Sequence, residues 1–234
     1  MSNNFKKNNI MKRLNFFFLF VLFSYFLNAQ NSREYVRNQI KEWGECKNVA
    51  ITQYNGDLAL YGRNGWAGRG LPSGLIDALH ELNNDNELID DVQLTENGSW
   101  LILVGNNGFR WNNIPYGLER KLYEFNDRNE VVTSVTFNDD GDWIIVGQEY
   151  YSASASWIQD WLKAGANQFG ALWAVCITSD AMVACYEDGY KFYGNVPYDL
   201  RAALTETSMN VFRIKIAGTA WFFSDNKGRY RYNM

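Results

Sequence analysis

The chain has 234 residues, of which 21% are charged and 16% are aromatic, and its formal net charge is −4. Its basic residues form no cluster after the N-terminal segment, which excludes nucleic acid and anionic membrane surfaces as expected partners. About 205 residues follow that segment, a length that suits one domain of moderate size.

The N-terminal segment has the pattern of a signal peptide. Basic residues within positions 6–13 precede the apolar run Phe16–Leu27, and Ala29 offers a small residue for cleavage before Gln30. The run of 12 residues is shorter than the roughly 20 that a membrane-spanning helix needs. Residues 1–29 are therefore predicted to be removed, which leaves 18 basic and 26 acidic residues. The mature protein is expected to be periplasmic or secreted and not integral to the membrane; an uncleaved N-terminal anchor is the alternative.

Two apolar patterns recur five times along the rest of the chain. A pair at spacing two is typical of a strand with one buried face, and a pair at spacing four is typical of a helix with one buried face. The strand pairs are Val49/Ile51, Val92/Leu94, Val135/Phe137, Val175/Ile177 and Ile214/Ile216. The helix pairs are Val36/Ile40, Leu75/Leu79, Leu118/Leu122, Ile158/Leu162 and Leu200/Leu204. Because the two patterns stay in step, they predict five copies of a unit of about 40 residues.

Turn residues fall between these pairs at matching positions. Proline is tolerated at the first position of a helix. Three of the helix pairs have a proline three residues before them, namely Pro72, Pro115 and Pro197. Three of the first strands are followed by strong hairpin signals, which are Asn55-Gly56, Asn97-Gly98 and Asp140-Gly141. A second strand, a second turn and a third, more aromatic strand follow. Each unit is therefore predicted to be one helix and three strands.

The predicted units form a single repeat domain over residues 30–234. Their approximate bounds are 33–70, 71–113, 114–153, 154–194 and 195–234. A unit of this size cannot bury its apolar face alone and must stack on a neighbour. Neither terminal unit has the polar surface of a capping repeat, which favours closure. The predicted fold class is mainly β with helices, as a five-bladed β-propeller-like closed ring; the alternative is an open α/β repeat stack.

The hairpins of the second and third units carry a Gly-x-Trp signature, at Gly98-Ser99-Trp100 and Gly141-Asp142-Trp143. This signature resembles that of bacterial β-propeller-type repeat proteins, and the resemblance covers residues 33–234. It implies a propeller fold. It implies no functional residue and no cofactor.

The sequence carries no recognisable catalytic set or metal site. His80, the one histidine, lies beside Leu79 in a predicted helix and is interpreted as a surface residue. No serine has the Gly-x-Ser-x-Gly context of a nucleophile elbow, and one histidine with three scattered cysteines does not supply a zinc site. The acidic stretch at 138–142 lies between two strands and is interpreted as a turn, with a weak cation site as the alternative. No catalytic residue, metal ligand or cofactor is predicted.

Cysteine placement suggests one disulfide bond. Cys176 and Cys185 are symmetric about the predicted turn at Asp180-Ala181, so they could face each other across two strands. Export would permit a bond between them. The alternative is that both are small buried apolar residues. Cys46 has no evident partner.

The aromatic residues are the feature that points to binding. The tryptophans of the second strands are interpreted as core residues. The rings of the third strands follow polar turns and alternate with polar residues; they are Trp66, Trp111, Tyr151, Tyr190 and Tyr230. Exposed rings beside amides or cations suit sugar faces and protein interfaces. These five residues are therefore candidate ligand-binding residues, the alternative being that they pack against the next unit's helix.

Three functions remain open at this point. The first is a non-enzymatic, exported binding module that presents its repeat loops to a glycan or an envelope protein. The second is an extracellular hydrolase acting on polysaccharide or peptide through acidic residues on the axis of the ring. The third is a structural component of the envelope.

Overall fold

The computed structural model describes residues 31–234, and the predicted signal peptide at residues 1–29 lies outside them. The described chain is an α+β structure with five helices and five three-stranded antiparallel sheets. The helices are α1 (31–43), α2 (Ser73–Asn84), α3 (Tyr116–Asp127), α4 (Ser156–Phe169) and α5 (Tyr198–Glu206). None of them combines the length and the apolar character that crossing a membrane requires.

Each sheet is built from three strands that follow one another in the chain. Sheet 1 contains β1 (Asn48–Ile51), β2 (Asp57–Tyr61) and β3 (Gly65–Arg69). Sheet 2 contains β4 (Ile89–Leu94), β5 (Trp100–Val104) and β6 (Gly108–Asn112). Sheet 3 contains β7 (Val132–Phe137), β8 (Trp143–Gly147) and β9 (Tyr151–Ala153). Sheet 4 contains β10 (Leu172–Ile177), β11 (Ala181–Tyr186) and β12 (Gly189–Gly194), and sheet 5 contains β13 (Arg213–Ala217), β14 (Ala220–Ser224) and β15 (Tyr230–Tyr232).

The middle strand of each sheet is apolar on both faces because both faces are covered. In β5, Trp100 and Ile102 belong to a core shared with α2, whereas Leu101 and Leu103 belong to a core shared with α3. Every residue of β5 is buried, and the same holds for β8, β11 and β14. The alternation of side chains along a strand thus assigns neighbouring residues to two different cores.

Four of the five cores share one composition: a sheet, the helix that follows it, and the next sheet. Between sheets 1 and 2, for example, Leu75, Leu79 and Leu82 of α2 pack against Leu58 and Leu60 of β2 and against strands of sheet 2. The same arrangement places α3, α4 and α5 between the later pairs of sheets. Each helix is amphipathic, and its apolar stripe is what joins two sheets.

The predicted β-propeller-like closed ring is wrong. Strand pairing is confined to five separate sheets, and no sheet within residues 31–234 closes into a barrel or a propeller ring. The physical reason lies in the helices, since α2 to α5 contribute to the cores between consecutive sheets, whose faces therefore pack on a helix as well as on each other. Each sheet ends at its third strand. Aromatic side chains of the third strand, such as Trp66 and Trp111, also pack on the core that contains the following helix.

The alternative of an open stack does not describe the structure either. The fifth core brings together α1, sheet 1 and sheet 5, with Val36, Ile40 and Phe222 all fully buried. Two hydrogen bonds connect the same parts of the chain: Arg37 Nη1 donates to the Met234 carbonyl at 3.0 Å, and Ser224 Oγ donates to the Lys47 carbonyl at 2.7 Å. The first and last units therefore support each other as internal neighbours do.

The predicted disulfide between Cys176 and Cys185 is absent, and both residues are buried free thiols. The cross-strand pairing is shifted by two residues from the predicted one, because Cys176 lies opposite Val183 and Cys185 lies opposite Ala174. The two cysteines are thus diagonal neighbours, whose Cα atoms are roughly 7–8 Å apart in an antiparallel pair. Disulfide bonds need Cα atoms about 4.4–6.8 Å apart.

A thiol titration tests this correction. Burial raises the pKa of Cys46 to about 12 and that of Cys176 to about 11, and it also raises the pKa of Cys185. We expect no reaction of the folded protein with Ellman's reagent at pH 8, because the thiolate is the reactive form. Protein purified without reductant and then unfolded should release three thiols per chain. One thiol per chain would show that the disulfide forms after all.

Candidate functional site

The first strands of the five sheets meet at the centre of the molecule. β1 contacts β4 and β13, β7 contacts β4 and β10, and β10 contacts β13. Side-chain hydroxyls satisfy backbone donors along these contacts. Ser134 Oγ accepts a hydrogen bond from the Val175 N–H at 3.3 Å, and Thr136 Oγ1 accepts one from the Ile177 N–H at 3.1 Å. Residues at the amino ends of these strands line one cavity, and residues at their carboxyl ends line another.

A buried charge pair lies among the first strands. Lys215 Nζ of β13 lies 2.8 Å from Asp91 Oδ1 of β4, and the two side chains are 7% and 1% exposed. Asn48 Nδ2 donates to the same Asp91 oxygen at 2.6 Å, and Gln93 Nε2 donates to the other oxygen at 3.3 Å. Asp91 is an inward acidic residue of the kind that the hydrolase hypothesis requires. Its carboxylate is already occupied by three donors, so it is not available to a substrate.

A cavity of about 510 Å³ opens at the amino ends of the first strands. We call it the lower cavity; its charged lining residues include Lys47, Asp90 and Arg213. Lys47 Nζ donates to the carbonyls of Gly62, at 3.0 Å, and of Arg63, at 3.3 Å, and it also donates to the Ile89 carbonyl. Burial lowers the pKa of Lys47, against the opposing effect of Asp90. The ammonium group thus has each of its three protons engaged by the protein.

The guanidinium group of Arg213 in the lower cavity is engaged in the same way. Its Nη2 lies 2.8 Å from Asp90 Oδ2, and its Nη1 donates to the carbonyls of Thr133 at 3.0 Å and Phe212 at 2.8 Å. Its buried Nε has no hydrogen-bond partner among the described residues. The cations of the lower cavity thus mainly hold neighbouring strands in place.

A second cavity, of about 480 Å³, opens at the carboxyl ends of the first strands. We call it the upper cavity. Its apolar floor is supplied by the same repeat position in every unit, namely Ile51, Leu94, Phe137, Ile177 and Ile216. Its polar rim is supplied by the residues that directly follow these strands or lie close to them, among them Gln53, Thr95, Glu96, Asn138, Asp139, Thr178, Ser179, Asp180, Asn195 and Thr219.

Part of the upper rim is fixed by hydrogen bonds between units. The Glu96 carboxylate of the second unit accepts from the backbone N–H groups of Gln53 and Tyr54 in the first unit, the latter at 3.2 Å. Asn138 Nδ2 of the third unit donates to the Thr178 carbonyl of the fourth at 3.2 Å. These bonds hold adjacent turns at a fixed separation, which makes the rim a preformed surface.

Other groups on the rim are left available. The side-chain hydroxyls of Ser179 and Thr219 have no hydrogen-bond partner within residues 31–234, and both residues are exposed. Asp139 Oδ1 receives one long bond, 3.4 Å from the Asn97 N–H. The cavity lining contains three carboxylates, those of Glu96, Asp139 and Asp180, and no lysine, arginine or histidine. Such a rim can accept and donate hydrogen bonds, and its electrostatic potential disfavours anions.

Neither cavity offers the usual residues of a metal centre. Within the described part of the chain, no group of three or more His, Cys, Asp or Glu side chains is placed to hold a metal ion. The turn at 138–142 is held by its own hydrogen bonds, with Asn138 Oδ1 accepting from the backbone N–H groups of Asp140 at 3.1 Å and Asp142 at 2.9 Å. Its interpretation as a turn is consistent with this geometry.

The structure does not bring the five predicted binding residues together. Trp66, Trp111, Tyr151, Tyr190 and Tyr230 are half-buried, and each packs on a different core. The Trp66 ring, for instance, lies 5.0 Å from the His80 ring of α2 in an edge-on arrangement. This geometry supports the interpretation that they pack against the next helix, and their role in binding stays a prediction without support from shared placement.

Sequence reasoning missed a different group of rings. Tyr198 is 87% exposed at the first position of α5, Tyr116 is also exposed at the first position of α3, and Trp157 is 47% exposed at the second position of α4. Tyr193, near the end of β12, is 50% exposed, and its ring centroid lies 5.4 Å from that of Trp157. The available signal was position: Tyr116 and Tyr198 follow Pro115 and Pro197 directly, where a helix start leaves the side chain facing solvent.

Comparison with known proteins adds little to this geometry. No protein-family model matches the chain. No curated protein matches it either. Among solved structures, the chain is similar to the crystal structure of the C-terminal domain of gp131 from bacteriophage phiKZ, at 10% sequence identity and a TM-score of 0.40. The match covers 65% of this chain and 53% of that one, so the chain spans about half the length of that protein domain.

Proposed function

We propose that the protein is a non-enzymatic binding module, exported to the periplasm or beyond, whose upper cavity holds part of a glycan. One observation carries this proposal: the first strands of all five units end at a single cavity with an apolar floor and a polar, partly unpaired rim. A concave cavity that combines apolar surface with oriented polar groups is the usual form of a small-ligand site.

The chemistry of the cavity suits a sugar. A pyranose presents hydroxyl groups around its edge and C–H groups on its faces. The Ser179 and Thr219 hydroxyls can donate or accept, the Asp139 carboxylate can accept from two sugar hydroxyls, and the apolar floor can contact the C–H face. Because the lining has carboxylates and no cationic side chain, the ligand we propose is neutral or carries an ammonium group, and is not a phosphorylated or uronic-acid glycan.

Expected affinity changes follow from the charge of Asp139. The isosteric change Asp139→Asn should raise the dissociation constant of a bound oligosaccharide roughly tenfold or more, because a hydrogen bond to a charged acceptor is lost. The measurement is isothermal titration calorimetry of residues 30–234 with oligosaccharides selected on a glycan array. The matched control is Asp188→Asn, an exposed aspartate in the turn between β11 and β12, away from the upper cavity.

Three outcomes of this experiment argue against the proposal. An array without any binding glycan removes the proposed ligand class. Equal effects of Asp139→Asn and Asp188→Asn place the site elsewhere. A preference for phosphorylated or uronic-acid glycans contradicts the electrostatic argument, since three carboxylates line the cavity.

A further inference from the structure

Beside Asn195, the outer wall of the upper cavity continues into exposed aromatic rings. Asn195 lines the cavity, and its Nδ2 donates to Asp180 Oδ2 of the same rim at 3.2 Å. Tyr193 is two residues before Asn195, so the two Cα atoms are at most about 7 Å apart. The Trp157 ring pairs with the Tyr193 ring at 5.4 Å, with the planes tilted by 45°.

The Trp157 and Tyr193 rings lie outside the hydrophobic cores. Trp157 and Tyr193 are about half exposed, and neither belongs to a core cluster, in contrast with the half-buried third-strand rings. Tyr198, three residues beyond Asn195, is 87% exposed and also lies outside the cores. Neighbouring exposed rings beside a polar cavity are typical of an interaction site, and ring faces suit the C–H faces of sugars.

We infer that Trp157 and Tyr193 form a second sugar subsite, so that the ligand is an extended glycan running from the upper cavity across these rings. The inference rests on the proposed function and deepens it, because it selects a chain of several sugar residues over a monosaccharide. A tilted ring pair presents two faces at an angle, which suits a bent glycan chain. Tyr198 lies close enough along the chain to Asn195 to contact the same ligand.

A chain-length series tests the inference. Titrations of residues 30–234 use a glycan that binds on the array, from its monosaccharide to its hexasaccharide. We expect affinity to rise with length and then level off. Trp157→Ala and Tyr193→Ala should each weaken the longer oligosaccharides roughly three- to tenfold and leave the monosaccharide unchanged. Trp157→Phe should retain part of the affinity, because it keeps a ring.

Tyr123→Ala is the matched control. Tyr123 is also 50% exposed and paired with an aromatic ring, that of Phe109 at 5.1 Å, but it lies in the middle of α3. It should leave binding of every length unchanged. Thermal melts of all four variants show whether each one is folded, and Trp157→Phe keeps the test interpretable if an alanine variant is not.

The outcomes separate the subsite from the cavity. If Asp139→Asn weakens binding while length and the two ring variants have no effect, the second subsite is wrong and the cavity stands. If no glycan of any length binds, the proposed function fails and the subsite fails with it. Capture of an envelope protein that depends on Trp157, with no glycan binding, would assign the rings to a protein interface and overturn the inference.

Discussion

Replacing Lys215 by methionine is expected to lower the free energy of unfolding by about 3–5 kcal/mol. The change leaves the Asp91 carboxylate buried, at 1% exposure, without its charged partner. Breaking one side of a buried ion pair is costly because an uncompensated charge remains in a poorly polarisable environment. The two residues lie in β13 and β4, which belong to different units, so the effect should appear in unfolding of the whole domain. Urea denaturation followed by circular dichroism measures it.

Two controls make the Lys215 experiment specific. Lys121→Met removes a cation from a partly exposed surface pair, Lys121 with Glu124 at 2.6 Å, and should cost less than about 1 kcal/mol. The double variant Asp91→Asn with Lys215→Met removes both charges and should recover most of the lost stability. Equal costs for Lys215→Met and Lys121→Met would mean that the central pair is not buried as described.

A second large effect is expected at Phe222, which joins the last unit to the first. Phe222 is fully buried in the core formed by α1, sheet 1 and sheet 5. Phe222→Ala should lower the free energy of unfolding by about 3–5 kcal/mol, since a large cavity is left in a core that cannot collapse fully.

The adjacent residue provides the control for Phe222. Phe223 is the same residue type on the same strand, is equally buried, and faces the core between sheets 4 and 5. Phe223→Ala should cost a similar amount. In an open stack the face of Phe222 would lie at a free end, so a cost below about 1 kcal/mol at Phe222 with a full cost at Phe223 would contradict the contact between the first and last units.

Local structure could be predicted from the sequence because it depends on short-range spacing. The five strand pairs lie in β1, β4, β7, β10 and β13, and the five helix pairs lie in α1 to α5. The turn glycines could be predicted for the same reason: Gly98 and Gly141 adopt φ values of +83° and +89°, which glycine tolerates best. The predicted position of proline is wrong by one residue. Pro72 and Pro115 directly precede their helices and do not occupy the first helical position.

The arrangement of the units could not be predicted, because periodicity shows which residues are buried and not what covers them. Leu101 and Ile102 are both apolar, yet one faces α3 and the other faces α2. The same limit explains why the aromatic residues of the third strands were interpreted as candidate ligand-binding residues. Trp111 alternates with Arg110 and Asn112, as an exposed ring would, but its face is covered by α3. The predicted cysteine pairing is wrong because each residue's partner is shifted by two positions, which places Val183 and not Cys185 opposite Cys176.

The upper cavity was missed for a related reason. Its floor residues were identified as the second members of the strand pairs, and polar residues such as Asp139 and Thr219 follow them closely. Only the contacts among the five first strands show that these positions face one cavity. A polar residue after a buried strand is otherwise indistinguishable from an ordinary turn.

The sharing of each middle strand between two cores has a consequence for how such a protein can change during evolution. In an open repeat array, a unit can be gained or lost at an end at little cost, because each unit contacts only its immediate neighbours. Here the loss of any unit removes one wall from two cores at once. This also holds for the first and last units, because they share a core with each other. Gene duplication or deletion of a single unit therefore needs two interfaces to be matched again. Substitutions in the turns around the upper cavity leave the cores intact, so sequence divergence there should lower stability least.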